Sequence, residues 1–167
     1  NFPPDDPEGL EKLGHGAEHT DSADTHDADS SPPTAAALDA SAHTVRVLVA
    51  YTNGARAAQG GTAAMAALIQ LAIDETNTAY TQSGVNASLQ LAHTVELNYT
   101  EVNFSTDLSR LMSTSEGYMD SVHGLRDDYK ADLVALVRTD GEYCGIAYLA
   151  PNSASLGFSV TARSCAT

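Results

Sequence analysis

Histidine, glutamate and cysteine are the residues through which this chain could do chemistry. His15-Gly16-Ala17-Glu18-His19 matches H-x-x-E-H, a spacing that on a helix turns two imidazoles to one face to hold zinc while the carboxylate serves as base. Here the motif sits beside Gly14 and Gly16 in an acidic stretch with no apolar stripe, so no such helix face is expected. The segment reads as solvated polar chain; with Asp21, Asp24, His26, Asp27 and Asp29 close by, loose metal binding is the most it is given. His93 falls on the apolar parity of a strand and reads as a core histidine bonded to a neighbour. His123, on a predicted helix, is expected to be solvated. Neither has a second histidine at ligand spacing. G-x-S-x-G does not occur, and Thr52-Asn53-Gly54-Ala55-Arg56, the turn expected after the first strand, lacks both G-x-G-x-x-G and G-K-[ST]. A serine nucleophile and a phosphate cradle are therefore not indicated, and no catalytic or metal-holding residue is assigned. An unrelated small-molecule-binding α/β domain has no ligand motif behind it.

The two cysteines, Cys144 and Cys165, are by count compatible with one disulfide in an oxidising compartment or two buried thiols in a reducing one. Charge narrows the partners further. The chain has 167 residues and a net charge of −14, which repels phosphate backbones and anionic lipid surfaces, so neither nucleic acid nor membrane is expected as a partner. No apolar run approaches the roughly 18 residues of a membrane span. Three N-x-[ST] sequons, at Asn86, Asn98 and Asn103, read as chance matches in a Ser/Thr-rich sequence.

Residues that could act must be positioned by folded chain, and composition divides it near His43. Residues 1–42 are rich in Pro, Asp, Ser and Ala with few sizeable apolar groups; such a stretch reads as a disordered or loosely docked arm, or the remnant of a propeptide. From His43 the pattern is that of a single folded unit. Val45–Tyr51 is short, β-branched and nearly continuous in apolar character, as in a central strand covered on both faces. Met65, Leu68, Ile69, Ala72, Ile73, Thr76 and Tyr80 recur at helical spacing, with Gly84 where a C-terminal cap belongs. Ala87, Leu89, Leu91, His93, Val95 and Leu97 alternate, predicting a strand with one buried face. Leu108, Leu111 and Met112, then Tyr118, Val122, Leu125 and Tyr129, predict two more helices before the apolar strand Ala131–Val137.

Strand, helix, strand, helix, strand implies an α/β fold with a mostly parallel sheet. Two further short strands, Gly145–Leu149 and Leu156–Ala162, are joined through Pro151-Asn152-Ser153 and should pair antiparallel at one edge. Cys144 opens the first of them and Cys165 closes the second, so they would face each other across the ladder. That placement favours a Cys144–Cys165 disulfide, stabilising the fold by roughly 3 kcal/mol through loop closure.

Several of these segments together resemble one family. Val45-Arg46-Val47-Leu48-Val49-Ala50-Tyr51-Thr52, Ala72–Tyr80, Ser83-Gly84-Val85-Asn86, Asp107–Leu111, Gly117–Asp120, Leu125-Arg126 and Tyr143-Cys144-Gly145-Ile146-Ala147-Tyr148 are similar to the reprolysin-like metzincin zinc metallopeptidases, and among them to the secreted bacterial peptidyl-Asp metalloendopeptidase group. The resemblance covers about 43–167. It implies a metzincin-type three-layer N-terminal subdomain with a five-stranded sheet and one antiparallel edge strand. In that family the edge strand pairs with extended substrate, so Gly145, Ile146, Ala147 and Tyr148 are expected to bind the backbone of a peptide or protein substrate.

The same resemblance implies zinc in the parent family, peptide hydrolysis through zinc-activated water, secretion, and a monomer. H-E-x-x-H-x-x-G-x-x-H, which would carry the zinc ligands and the general base, does not occur between Asn1 and Thr167. It is expected beyond Thr167, so the chain reads as the front part of a secreted zinc metalloendopeptidase that holds no zinc and is inactive alone. Residues 1–42 contain no cysteine to block a zinc ion, so inhibition by this arm, as in a zymogen, would need an aspartate or a histidine. The alternative reading is a non-catalytic peptide-binding module that keeps the substrate-pairing edge.

Overall fold

The computed structural model describes residues 43–149 and 153–167. The arm of residues 1–42, with its H-x-x-E-H motif, and the expected turn residues Pro151 and Asn152 lie outside the described residues. β1 runs His43–Thr52, α1 Asn53–Gln59, α2 Thr62–Gln82, β2 Ala87–Leu97, α3 Phe104–Met112, α4 Ser121–Asp128, β3 Leu133–Arg138, β4 Gly145–Ala147 and β5 Phe158–Ala162, with 3-10 turns at Ala154–Leu156 and Arg163–Cys165. The strands form one sheet in the order β2-β1-β3-β5-β4. All neighbours are parallel except β4 and β5, which confirms the expected α/β sheet and its antiparallel edge.

The continuous apolar run of β1 is explained by two cores. Val47, Val49 and Tyr51 pack with Met65, Ile69 and Ile73 of α2, while Leu48 and Ala50 face the opposite side with Phe104, Leu108, Leu111, Val122, Leu136 and Val160. Alternate residues of a strand point to opposite faces, so a central strand covered on both needs apolar groups at every position. α2 ends where Gly84 takes φ 68° and Val85 N–H reaches Tyr80 C=O at 2.9 Å, a left-handed stop that glycine adopts without a Cβ clash.

Three expectations need correction. β2 does not keep one buried face: Val47 pairs with Leu91 but Leu48 with His93, leaving Ala92 as an extra residue. Such a bulge places two consecutive side chains on one side. Leu89 and Leu91 therefore pack toward α2, whereas Ala92, Val95 and Leu97 pack into the opposite core. The segment after β1 is not a plain turn; Thr52 caps α1, its Oγ1 accepting from Ala55 N–H at 2.9 Å, the role Ser and Thr play at helix starts. β4 and β5 are also shorter than the runs that suggested them.

Leu48 is fully buried and Leu71 of α2 is 47% exposed. Leu48→Ala is expected to cost ~2–5 kcal/mol in a denaturant titration, and Leu71→Ala within about 0.5 kcal/mol of no change.

Candidate functional site

β4 is an edge strand of three residues. Gly145 pairs with Thr161, Ile146 with Val160 and Ala147 with Ser159. Ala162 N–H donates to Cys144 C=O at 2.8 Å, which fixes the phase of the ladder. In an antiparallel pair, bonded and non-bonded positions alternate, so Ile146 turns its backbone groups toward β5 while Gly145 and Ala147 turn theirs to the outer edge. No strand pairs with that edge among the described residues. Ile146 and Tyr148 pack against the core of α3, β3 and β5, whereas Gly145, Ala147 and Leu149 are exposed. Glycine at 145 has a steric cause: a Cβ there would lie 2.9 Å from Val160 C=O.

The disulfide Cys144–Cys165 is formed, with Cα atoms 5.4 Å apart. Cys165 sits in the 3-10 turn just beyond β5, not opposite Cys144 within the ladder as expected. That turn is tied back to the loop after β3: Asp140 accepts from Arg163 Nη2 at 2.7 Å and from Ser164 N–H at 2.9 Å. Hydrogen bonding from Ser164, reinforced by the Arg163 charge, holds the Asp140 carboxyl below its usual range.

A second polar constellation lies where β1 and β3 end. Arg138, the last residue of β3, is buried, its Nη1 3.0 Å from Oδ2 of fully buried Asp107 and its Nη2 3.4 Å from Oε2 of Glu101. The closer contact is off the hydrogen-bond direction, so charge holds it. The guanidinium also lies 4.5 Å from the Phe104 ring centre, a cation–π contact. Asp107 Oδ1 accepts from Tyr99 Oη at 2.7 Å and Val102 N–H at 3.0 Å. Burial, then the bond to Asp107, pushes the Tyr99 phenol up to about 12. Burial alone would raise the Glu101 carboxyl, but hydrogen bonds from Thr139 and Thr52 and the Arg138 charge outweigh it and hold the group below its ordinary value.

This cluster was not foreseen. Its members come from β1, β3, α3 and the loop after β2, and only an aspartate within a helical apolar stripe and an arginine ending an apolar strand signalled it. Its opposite charges compensate one another, and hydrogen bonds from Thr52, Thr139, Tyr99 and Val102 hold the two carboxylates, which makes it an anchor for the strand ends.

His93 and His123 lie apart, each with its own partners. His93 stacks on Tyr129, ring centres 3.9 Å apart and planes 6° apart. His123 is not solvated as expected: its Nε2 lies 3.1 Å from Leu111 C=O and 3.0 Å from Ser113 C=O at the end of α3. Among the described residues no group of three or more His, Cys, Asp or Glu could hold a metal ion. The donors among the described residues do not fit zinc, which needs three or four such ligands. No helix among the described residues is long and apolar enough to cross a membrane.

Comparison with known proteins agrees with this architecture. Residues 41–166 match the model of metallo-peptidase family M12. The chain is 46% identical over 125 residues to a peptidyl-Asp metalloendopeptidase of Stenotrophomonas maltophilia (strain R551-3), covering 74% of this chain and 30% of the relative. It is 42% identical over 134 residues to that of Xanthomonas campestris pv. campestris, 80% and 32%, and 34% identical over 134 residues to that of Pseudomonas aeruginosa, 74% and 21%. The chain thus spans about a third or less of the length of these curated relatives. A chain in a solved chaperone-substrate complex shares the fold, with a TM-score of 0.63 at 15% identity over 72% of this chain and 23% of that one.

Removing Asp107 would leave the Arg138 charge buried without its nearest partner, and Asp107→Ala is expected to destabilise by ~3–5 kcal/mol in chemical denaturation. Glu101 contributes stability above its unfolded-state pKa, and loses it as pH falls through its lower folded-state value. Glu101→Gln should therefore be less stable than the parent at neutral pH, the gap closing once the pH lies below the folded-state value, as followed by denaturation at a series of pH values.

Proposed function

This chain belongs to metallo-peptidase family M12, and we propose that it forms the front part of the catalytic domain of a secreted zinc metalloendopeptidase, supplying the edge strand on which an extended substrate is laid. The observation that carries the reading is the outer edge of β4, unpaired among the described residues, on a sheet belonging to this family. A peptide aligned with that edge could accept from and donate to the outward backbone groups of Gly145 and Ala147, a strand addition whose affinity comes from the main chain. Ile146 and Tyr148, held against the core, fix the strand's position rather than touch the peptide backbone. The substrate class is an extended peptide or protein segment, and the working form is a monomer.

Zinc-activated water is the family's means of peptide hydrolysis, but the described residues do not fit that ion, so no proton transfer or attack is assigned to them. The 167-residue chain is taken as inactive by itself. An exposed disulfide and the secreted character of the group support an oxidising, extracellular location.

Incubated with casein and zinc, the 167-residue chain should leave the substrate intact; stoichiometric zinc with cleavage would overturn the inactive reading. The edge is tested separately. Ala147→Pro deletes an outward N–H without removing a β4–β5 bond, since proline is tolerated on the free side of an edge strand. It should weaken binding of an extended peptide about tenfold, the equivalent of one lost hydrogen bond. The denaturation midpoint should stay nearly unchanged. Tight peptide binding combined with no hydrolysis by the whole protein would instead favour the non-catalytic binding module.

A further inference from the structure

We propose that Cys144–Cys165 is a redox-cleavable clamp that holds the β4 edge in register, so that a dithiol reductant loosens this edge while the rest of the sheet stays folded. The consequence for substrate rests on the role given to β4 above; the clamp itself does not.

Three observations converge on it. First, β4 is held to β5 by only three residue pairs, whereas β3 is held to β5 by five and β1 to β3 by five. A strand so short, with no pairing strand on its outer side among the described residues, belongs to the least stable part of a sheet. Second, the disulfide lies directly at the start of β4 and joins it to the 3-10 turn that follows β5. It is next to the Ala162 N–H to Cys144 C=O bond that continues the ladder. The other ties just upstream are the Tyr143 ring, edge-on to Phe104 with centres 5.8 Å apart, and Asp140, four residues before Cys144, through Arg163 and Ser164. Third, both cysteines are exposed, so a small thiol can reach the sulfurs without prior unfolding, whereas β1, β3 and β5 are built from buried residues that do not depend on the bridge.

The chemistry balances with one named co-reactant. A thiolate of an external dithiol attacks one Sγ, the S–S bond breaks, and the other cysteine leaves as a thiolate that takes up a proton. The reagent's second thiol then displaces the remaining protein sulfur. The reagent ends as a cyclic disulfide and both cysteines as thiols, two electrons and two protons having passed to the protein.

Amide hydrogen exchange on the 167-residue chain, with and without dithiothreitol, reads this directly. The amides of Ile146 and Ala162 report the β4–β5 ladder, and those of Leu48 and Leu136 report the core. Reduction should speed exchange at Ile146 and Ala162 about tenfold and leave Leu48 and Leu136 unchanged, the pattern of local opening. The double variant Cys144→Ser, Cys165→Ser should show the fast pattern without reductant and no response to it. Unchanged exchange at Ile146 and Ala162 would overturn the clamp. Equal acceleration at Leu48 and Leu136 would also overturn it, because the bridge would then be supporting the whole fold. The substrate reading has its own arm: an extended peptide should slow exchange at Gly145 and Ala147 in the oxidised chain. Were that protection absent while reduction still loosened Ile146, the substrate role of β4 would fall and the clamp would stand.

Discussion

The burial of one positive charge organises this domain. Arg138 ends β3 in the middle of the sheet, and a guanidinium removed from water must be matched by opposite charge or the fold is penalised by several kcal/mol. Asp107 and Glu101 supply the match, and in doing so they bring α3 and the loop after β2 onto the ends of β1 and β3. Thr52 and Thr139 then share the Glu101 carboxylate. Thr52 also starts α1, so one polar centre sets the exit of two strands and the entry of a helix.

From that fixed centre the structure becomes less constrained toward the edge. β3 carries β5 and β5 carries β4, and the last step has fewer pairs and more exposure. The gradient suits the pairing role proposed for β4: the centre is held by charge and apolar packing, while among the described residues the edge keeps open backbone groups at Gly145 and Ala147. The disulfide and the Asp140 ties are placed at the weakest point of this chain of support, where few apolar contacts are available.

Periodicity made much of the fold legible. The apolar run of β1, the helical stripe of α2 and the pair of strands flanked by cysteines each have a direct counterpart, because burial of regular elements leaves a regular pattern. The alternation of β2 misled for a physical reason: an inserted residue reverses the relation between sequence parity and sheet face, and Ala92 resembles any other small apolar residue. α1 was hidden because Asn53 and Gly54 favour turns when read locally, whereas the Thr52 cap and the packing of Ala55 decide for helix. His123 looked solvated because nothing local announces the free carbonyls at the end of α3 that it reaches.

By itself the sequence determined the family, the sheet class, the two-sided burial of β1 and the pairing of the two cysteines, all of which follow from short-range pattern or from motifs whose residues are adjacent. Only the tertiary structure decided which backbone groups of β4 face outward, where the bulge turns β2, and that Glu101, Asp107 and Arg138 form one centre. Those features depend on contacts between residues of different elements, well separated along the chain. Hydrogen-bond phase and charge compensation are properties of the assembled sheet, and no local spacing encodes them.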